Sequence, residues 1–189
     1  MTIVEKVEFS RLLGLEKIKT QGMDVDISAT PQECQALARR FGLVAINKLE
    51  AKLDLRRHDH AGGPEYTVEG DFSAAVVQPC AITLEPIETC VASRLAVRYM
   101  SPQALGEFEE QQGQDLSLGL EEEDIEVLPE GALDLGELVA QYLAISLESY
   151  PRKPGIDLGA FGIEPDDEKG AQPKQGEANP FAVLKKIYD

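Results

Sequence analysis

The chain has no tryptophan, two histidines, three cysteines and eighteen basic residues in a length of 189. Each shortage closes off a class of function. With both histidines in one local run, His58-Asp59-His60, a serine or cysteine nucleophile has a base only if an active site is built around that segment. No phosphate-binding loop, dinucleotide fingerprint or His-Glu-x-x-His motif is present. Three cysteines, Cys34, Cys80 and Cys90, are an odd number, and the segment Met1 to Thr20 mixes acids with bases instead of opening on a positive head and an apolar run. We therefore expect reduced thiols and a cytoplasmic location. No window reaches the roughly twenty apolar residues that a membrane helix requires.

What is abundant is acid. Thirty-four Asp and Glu against eighteen Lys and Arg give a formal net charge of −16. Such a field repels phosphate-rich polymers unless basic groups are segregated, so a basic protein partner suits the whole-chain charge better than naked nucleic acid. From Gln103 to Glu137 there is no Lys or Arg at all. The stretch from about 101 to 133 reads as a solvated acidic loop, and its adjacent carboxylates, such as Glu121-Glu122-Glu123, lack the contrasting environments that acid/base catalysis needs. We read the protein as not an enzyme.

Hydrophobic periodicity predicts the folded part. Val4 to Phe9 and Met23 to Ser28 alternate like half-buried strands. Thr30-Pro31-Gln32-Glu33 is a capping box with proline at the first helical position. The helix it opens places Cys34, Leu37, Ala38 and Phe41 on one face and stops at Gly42. Leu49 to Arg56, Tyr66 to Val76 and Val91 to Tyr99 then alternate as three long strands, with a turn expected over Arg57 to Pro64. A second helix is predicted from an Asp134 cap, with Glu137 completing the capping pattern and Tyr150-Pro151 ending it. The expected architecture is α+β: an antiparallel sheet meander covered by two main helices, with the acidic loop inserted and a flexible C-terminal tail. Residues 1–150 form the domain. Residues 151–189 are a Pro/Gly-rich linker ending in a short amphipathic helix that presents Phe181, Leu184 and Ile187 for docking.

Among candidate sites, His58, Asp59 and His60 have ligand chemistry but read better as an exposed polar turn. Arg94 and Arg98, four apart on one strand, share a face, and with Arg56 they form a candidate patch for RNA or a partner. Cross-strand carboxylates Glu50, Asp54, Glu69 and Asp71 compete for them. Arg39-Arg40, Arg57 and Lys185-Lys186 are the other local concentrations of positive charge.

The segment Cys80-Ala-Ile-Thr-Leu-Glu-Pro86 lies between two of the strands. With Asp-Leu-Gly-Glu-Leu-Val at 134–139 and Asn-Pro-Phe-Ala-Val-Leu at 179–184, it resembles the YceD-like family. The family turn is matched by Cys80, Leu84, Glu85 and Pro86, with Thr83 where relatives carry a second cysteine. The resemblance implies a non-enzymatic part in accumulation of the large ribosomal RNA, through binding to RNA or to ribosomal assembly proteins. The alternative is an acidic protein-binding adaptor or chaperone without a ribosomal task. Many relatives carry two cysteine pairs suited to zinc. Here the first pair is broken by Thr83 and residues 151–161 contain no cysteine, so neither zinc nor any other cofactor is expected.

Overall fold

A computed structural model describes residues 7–60, 63–112 and 124–155. The chain divides into two units, residues 1–153 and 154–189. The first unit is built on three long strands, β3 (Ala45–His60), β4 (Gly63–Pro79) and β5 (Pro86–Met100). They pair antiparallel in sequence order, with Leu55 opposite Val68 and Val68 opposite Val97. β2 (Met23–Ser28) pairs antiparallel with β3, and the short β6 (Asp124–Val127) pairs parallel with β5, giving the order β2-β3-β4-β5-β6. A separate ribbon joins β1 (Leu12–Gly14) to β7 (Ala132–Asp134). The helices are α1 (Pro31–Phe41), α2 (Pro102–Gln112) and α3 (Leu135–Ser146).

Alternation along the strands sorts the two sheet faces. Leu49, Ala51, Leu53 and Leu55 of β3 join Val68, Phe72, Ala74 and Val76 of β4 and Leu95, Val97 and Tyr99 of β5 in one buried cluster. Cys34, Leu37 and Ala38 of α1 and Leu135, Leu138, Val139 and Leu143 of α3 complete it. The opposite side chains face outward.

The expected meander under two main helices is corrected by this structure. The sheet has five strands and is mixed, and all three helices are short. Helices of 11 or 12 residues span about 17 Å, whereas strands of 15 to 17 residues span about 50 Å, so α1 and α3 can cover only part of the inner face. The acid-rich stretch is also not one loop, since it contributes α2, β6 and the start of β7. β6 holds its place through bonds that its own composition does not announce. Leu128 N–H donates to the Met100 carbonyl at 2.7 Å, and the Tyr142 hydroxyl of α3 donates to Asp124.

Other local expectations meet mixed outcomes. Val7 to Phe9 is not a strand, although Phe9 is fully buried. Pairing of β3 with β4 runs through to His60 opposite Gly63, so Arg57 to His60 belong to a strand instead of a turn. The Thr30 capping box forms, with Glu33 N–H donating to Thr30 Oγ1 and Thr30 N–H to Glu33, and Gly42 closes α1 at φ 67°. That left-handed conformation favours glycine. Asp134 caps α3, but the Glu137 carboxylate turns to Arg40 at 2.7 Å, and the helix ends at Ser146. Gly136 admits the chain closely: a Cβ there would lie 2.6 Å from the Phe9 carbonyl oxygen. Residues 113–123, most of the linker and the segment expected as a C-terminal helix with Phe181, Leu184 and Ile187 lie outside the described residues.

Candidate functional site

Two regions carry the residues singled out by the sequence. The first is the turn between β4 and β5, closed by Pro79 opposite Pro86. Cys80 N–H donates to the Glu85 carbonyl at 2.8 Å, and Leu84 N–H donates back to the Cys80 carbonyl at 3.0 Å. Leu84 takes a positive φ of 59°, uncommon for a leucine, and its side chain stands in solvent. The chain after α3 returns to this turn. Ala81 N–H donates to the Pro151 carbonyl at 2.8 Å, and Lys153 Nζ to Glu85 at 2.7 Å.

The Cys80 thiol is fully covered in this turn. Its pKa is lowered to about 6, first by the neighbouring Thr83 side chain and then by the nearby backbone N–H groups of Thr83, Lys153 and Ile82, which favour the thiolate against the cost of desolvation. Thr83 also accepts from Glu85 N–H at 3.4 Å. These residues do not fit a tetrahedral zinc ion. The turn offers one thiol, the position of a second thiolate is a hydroxyl committed to hydrogen bonds, and among the described residues no three His, Cys, Asp or Glu groups come together as ligands. Cys90 does not approach Cys80: opposite Ala75 and exposed, it stands about 13 Å up the strand from the closing Pro79/Pro86 pair. All three cysteines are free.

The second region is the outward face of the sheet. Register places Arg56, Thr67 and Arg98 in one row across β3, β4 and β5. The next row is Asp24, Asp54, Glu69 and Ala96, and the one beyond it is Asp26, Lys52, Asp71 and Arg94. The arginines are thus gathered on one face, interleaved with carboxylates. Arg56 Nε lies 2.7 Å from Asp54, and Arg94 donates to Glu69 at 2.7 Å. Asp54 is the main reason that the Arg56 pKa is raised. The groove beside the β3–β4 connection mixes Arg56, His58, His60 and Arg98 with the carboxylates of Asp54, Glu65 and Glu69. His58 bonds Thr67 at 3.2 Å, and His60 lies 3.6 Å from Glu65, so both imidazoles belong to the strand surface.

Two other arginines serve the fold. Arg40 ties the end of α1 to Glu137 and Glu8. Arg11 donates to both oxygens of Glu33 at 2.7 and 2.9 Å, and also to the Ser28 carbonyl. Lys153 escaped the sequence reading altogether, because it lies 68 residues from Glu85 and no local pattern marks the contact. Asp24 and Asp26 were visible only as the polar half of an alternating strand; their weight appears once the rows are assembled.

The described residues thus hold a closed cysteine turn and a charged sheet face, and among them no metal cluster. The family Large ribosomal RNA subunit accumulation protein YceD matches residues 68–188, nearly two thirds of the chain, and the protein belongs to that family. The match begins within β4. No curated protein and no solved structure matches the chain. The family's description names an accumulation factor, not an enzyme. Among the described residues no helix is long and apolar enough to cross a membrane.

Proposed function

We propose that this protein supports accumulation of the large ribosomal RNA by binding, without catalysis or a cofactor, to that RNA or to proteins that assemble on it. Family membership over residues 68–188 carries this reading. The outward sheet face supports it, because Arg56, Arg94 and Arg98 stand together there on rigid strands. The ion pairs of Arg56 and Arg94 are solvent-exposed and worth little each, so a partner can exchange them at small cost. The Phe181, Leu184 and Ile187 segment supplies a second contact, laying an apolar helical face against a partner. The site of action is the cytoplasm, where ribosomes assemble.

The test is sedimentation of ribosomes from cells lacking the protein, with large-subunit RNA quantified across the gradient, followed by complementation with the intact chain and with the Arg94→Ala/Arg98→Ala variant. We expect a deficit of mature large subunits that the intact chain restores and the double variant does not. A normal profile in the deleted cells overturns the ribosomal role. Full restoration by the double variant removes the arginines from it.

A further inference from the structure

β2 is an edge strand. On one side it pairs with β3, and among the described residues nothing pairs with the other. Such an edge presents backbone groups in register for an added strand, except at its end, where Arg11 already holds the Ser28 carbonyl. The charges beside it select what that strand can be. Across the Asp26, Lys52, Asp71 and Arg94 row the signs alternate and end at β2 on a carboxylate. Across the neighbouring row Asp24 faces Asp54, which faces Glu69, three like charges side by side. Asp54 and Glu69 are relieved by Arg56 and Arg94. Asp24 and Asp26 have no salt bridge among the described residues, are exposed, and belong to a strand that carries no cation of its own.

We propose that the free edge of β2 takes an extended lysine- or arginine-rich polypeptide as an added strand, with basic side chains at alternate positions opposite Asp24 and Asp26. Opposed charges on paired strands attract across about 5 Å, so this occupant continues the alternation of the Asp26 row and gives the Asp24 row the sign it lacks. A second copy of β2 would set Asp against Asp and is disfavoured. Nucleic acid is disfavoured for the same reason, since its phosphates would approach the acid-rich margin of the face. This inference rests on the proposed function and narrows it: the partner at this edge is a basic protein segment, the kind that neutralises RNA, rather than the RNA itself.

The experiment uses the full chain and a labelled twelve-residue peptide alternating lysine with threonine. Binding is followed by anisotropy, and the location of contact by hydrogen exchange. Expected results are slowed exchange over residues 23–28 and affinity about tenfold weaker for Asp24→Asn/Asp26→Asn, from the loss of two cross-strand charge pairs. The Glu121→Gln/Glu122→Gln/Glu123→Gln variant removes more charge elsewhere and should bind as the parent does. Equal weakening in both variants shows attraction by bulk charge alone and overturns the inference, as does peptide binding without protection of 23–28. Slowed exchange over residues 23–28 on adding a twelve-nucleotide RNA without the peptide would assign the edge to nucleic acid instead and overturn the inference. None of these outcomes depends on the ribosome profile, so the edge can fail while the ribosomal role stands, and the reverse.

Discussion

The inner and outer faces of β3, β4 and β5 are made by the same backbone and obey opposite rules. Inward, Leu55, Val68 and Val97 follow one another across the sheet at 1% exposure or less. Outward, one residue along, exposed Arg56 and half-buried Thr67 and Arg98 follow one another. Burial converts each inward side chain into stability, while an exposed ion pair nearly breaks even with its hydration. The outer face is therefore free to change its partners without loss of the fold, which suits it to binding.

The largest expected effect breaks this comparison at its strongest point. Leu55→Ala leaves a cavity at the centre of the cluster and should cost about 3 kcal/mol, whereas Lys52→Ala, on the outer face of the same strand, should change stability by less than about 0.5 kcal/mol. Urea unfolding of the two variants measures both. Similar losses would mean that the outward charges hold the sheet together, and the division of labour between the faces would fall.

Not every charge is idle, and the Arg11–Glu33 pair shows the difference. Its geometry is bidentate, Arg11 stacks 4.7 Å from the Phe9 ring, and the Glu33 carboxyl is only 21% exposed. The hydrogen bond from Arg11 holds the Glu33 pKa at about 2, below the ordinary carboxylate value. A depressed carboxyl pKa stabilises the fold above its unfolded value, and that contribution disappears as the pH falls from about 4.5 to about 2. With allowance for solvent screening, it is about 2 kcal/mol. Arg11→Met should lose this at pH 6 and differ much less from the parent at pH 2.5. A difference independent of pH would show that Arg11 acts through packing on Phe9 alone.

The sequence made both sheet faces legible because alternation is a local signal, and Thr30-Pro31-Gln32-Glu33 announced α1 down to the bonds of its cap. Legibility ended where distant partners decide. Asp124-Ile-Glu-Val127 is four residues in an acidic stretch, and only the Tyr142 hydroxyl and the Met100 carbonyl make it a parallel strand. β1 and β7 are three residues each, too short to show a period. For the candidate site, the arginines could be placed on one face from spacing alone. The rows that oppose Asp24 to Asp54 and Asp26 to Lys52 required the register between strands, which no single strand encodes.

The smallest effect concerns the end of the hairpin, where neither the core nor the charged face is in control. If donors alone hold the Cys80 thiol at about 6, removing the nearest side-chain donor must raise it. Thr83→Val keeps the branched shape and deletes the hydroxyl. In a Cys34→Ala/Cys90→Ala background, thiolate absorbance should then titrate nearer the ordinary thiol value of about 8.5. The linkage has a definite sign. Because the folded pKa lies below the unfolded one, the thiolate stabilises the parent fully above about 8.5, and this advantage declines as the pH falls towards about 6. Parent and variant should therefore diverge in stability as the pH rises from 6 to 8.5 and converge below it. An unchanged midpoint would mean that the backbone N–H groups of Ile82, Thr83 and Lys153 suffice without the Thr83 hydroxyl. A raised midpoint would make the Thr83 hydroxyl the group that sets the thiolate of this turn.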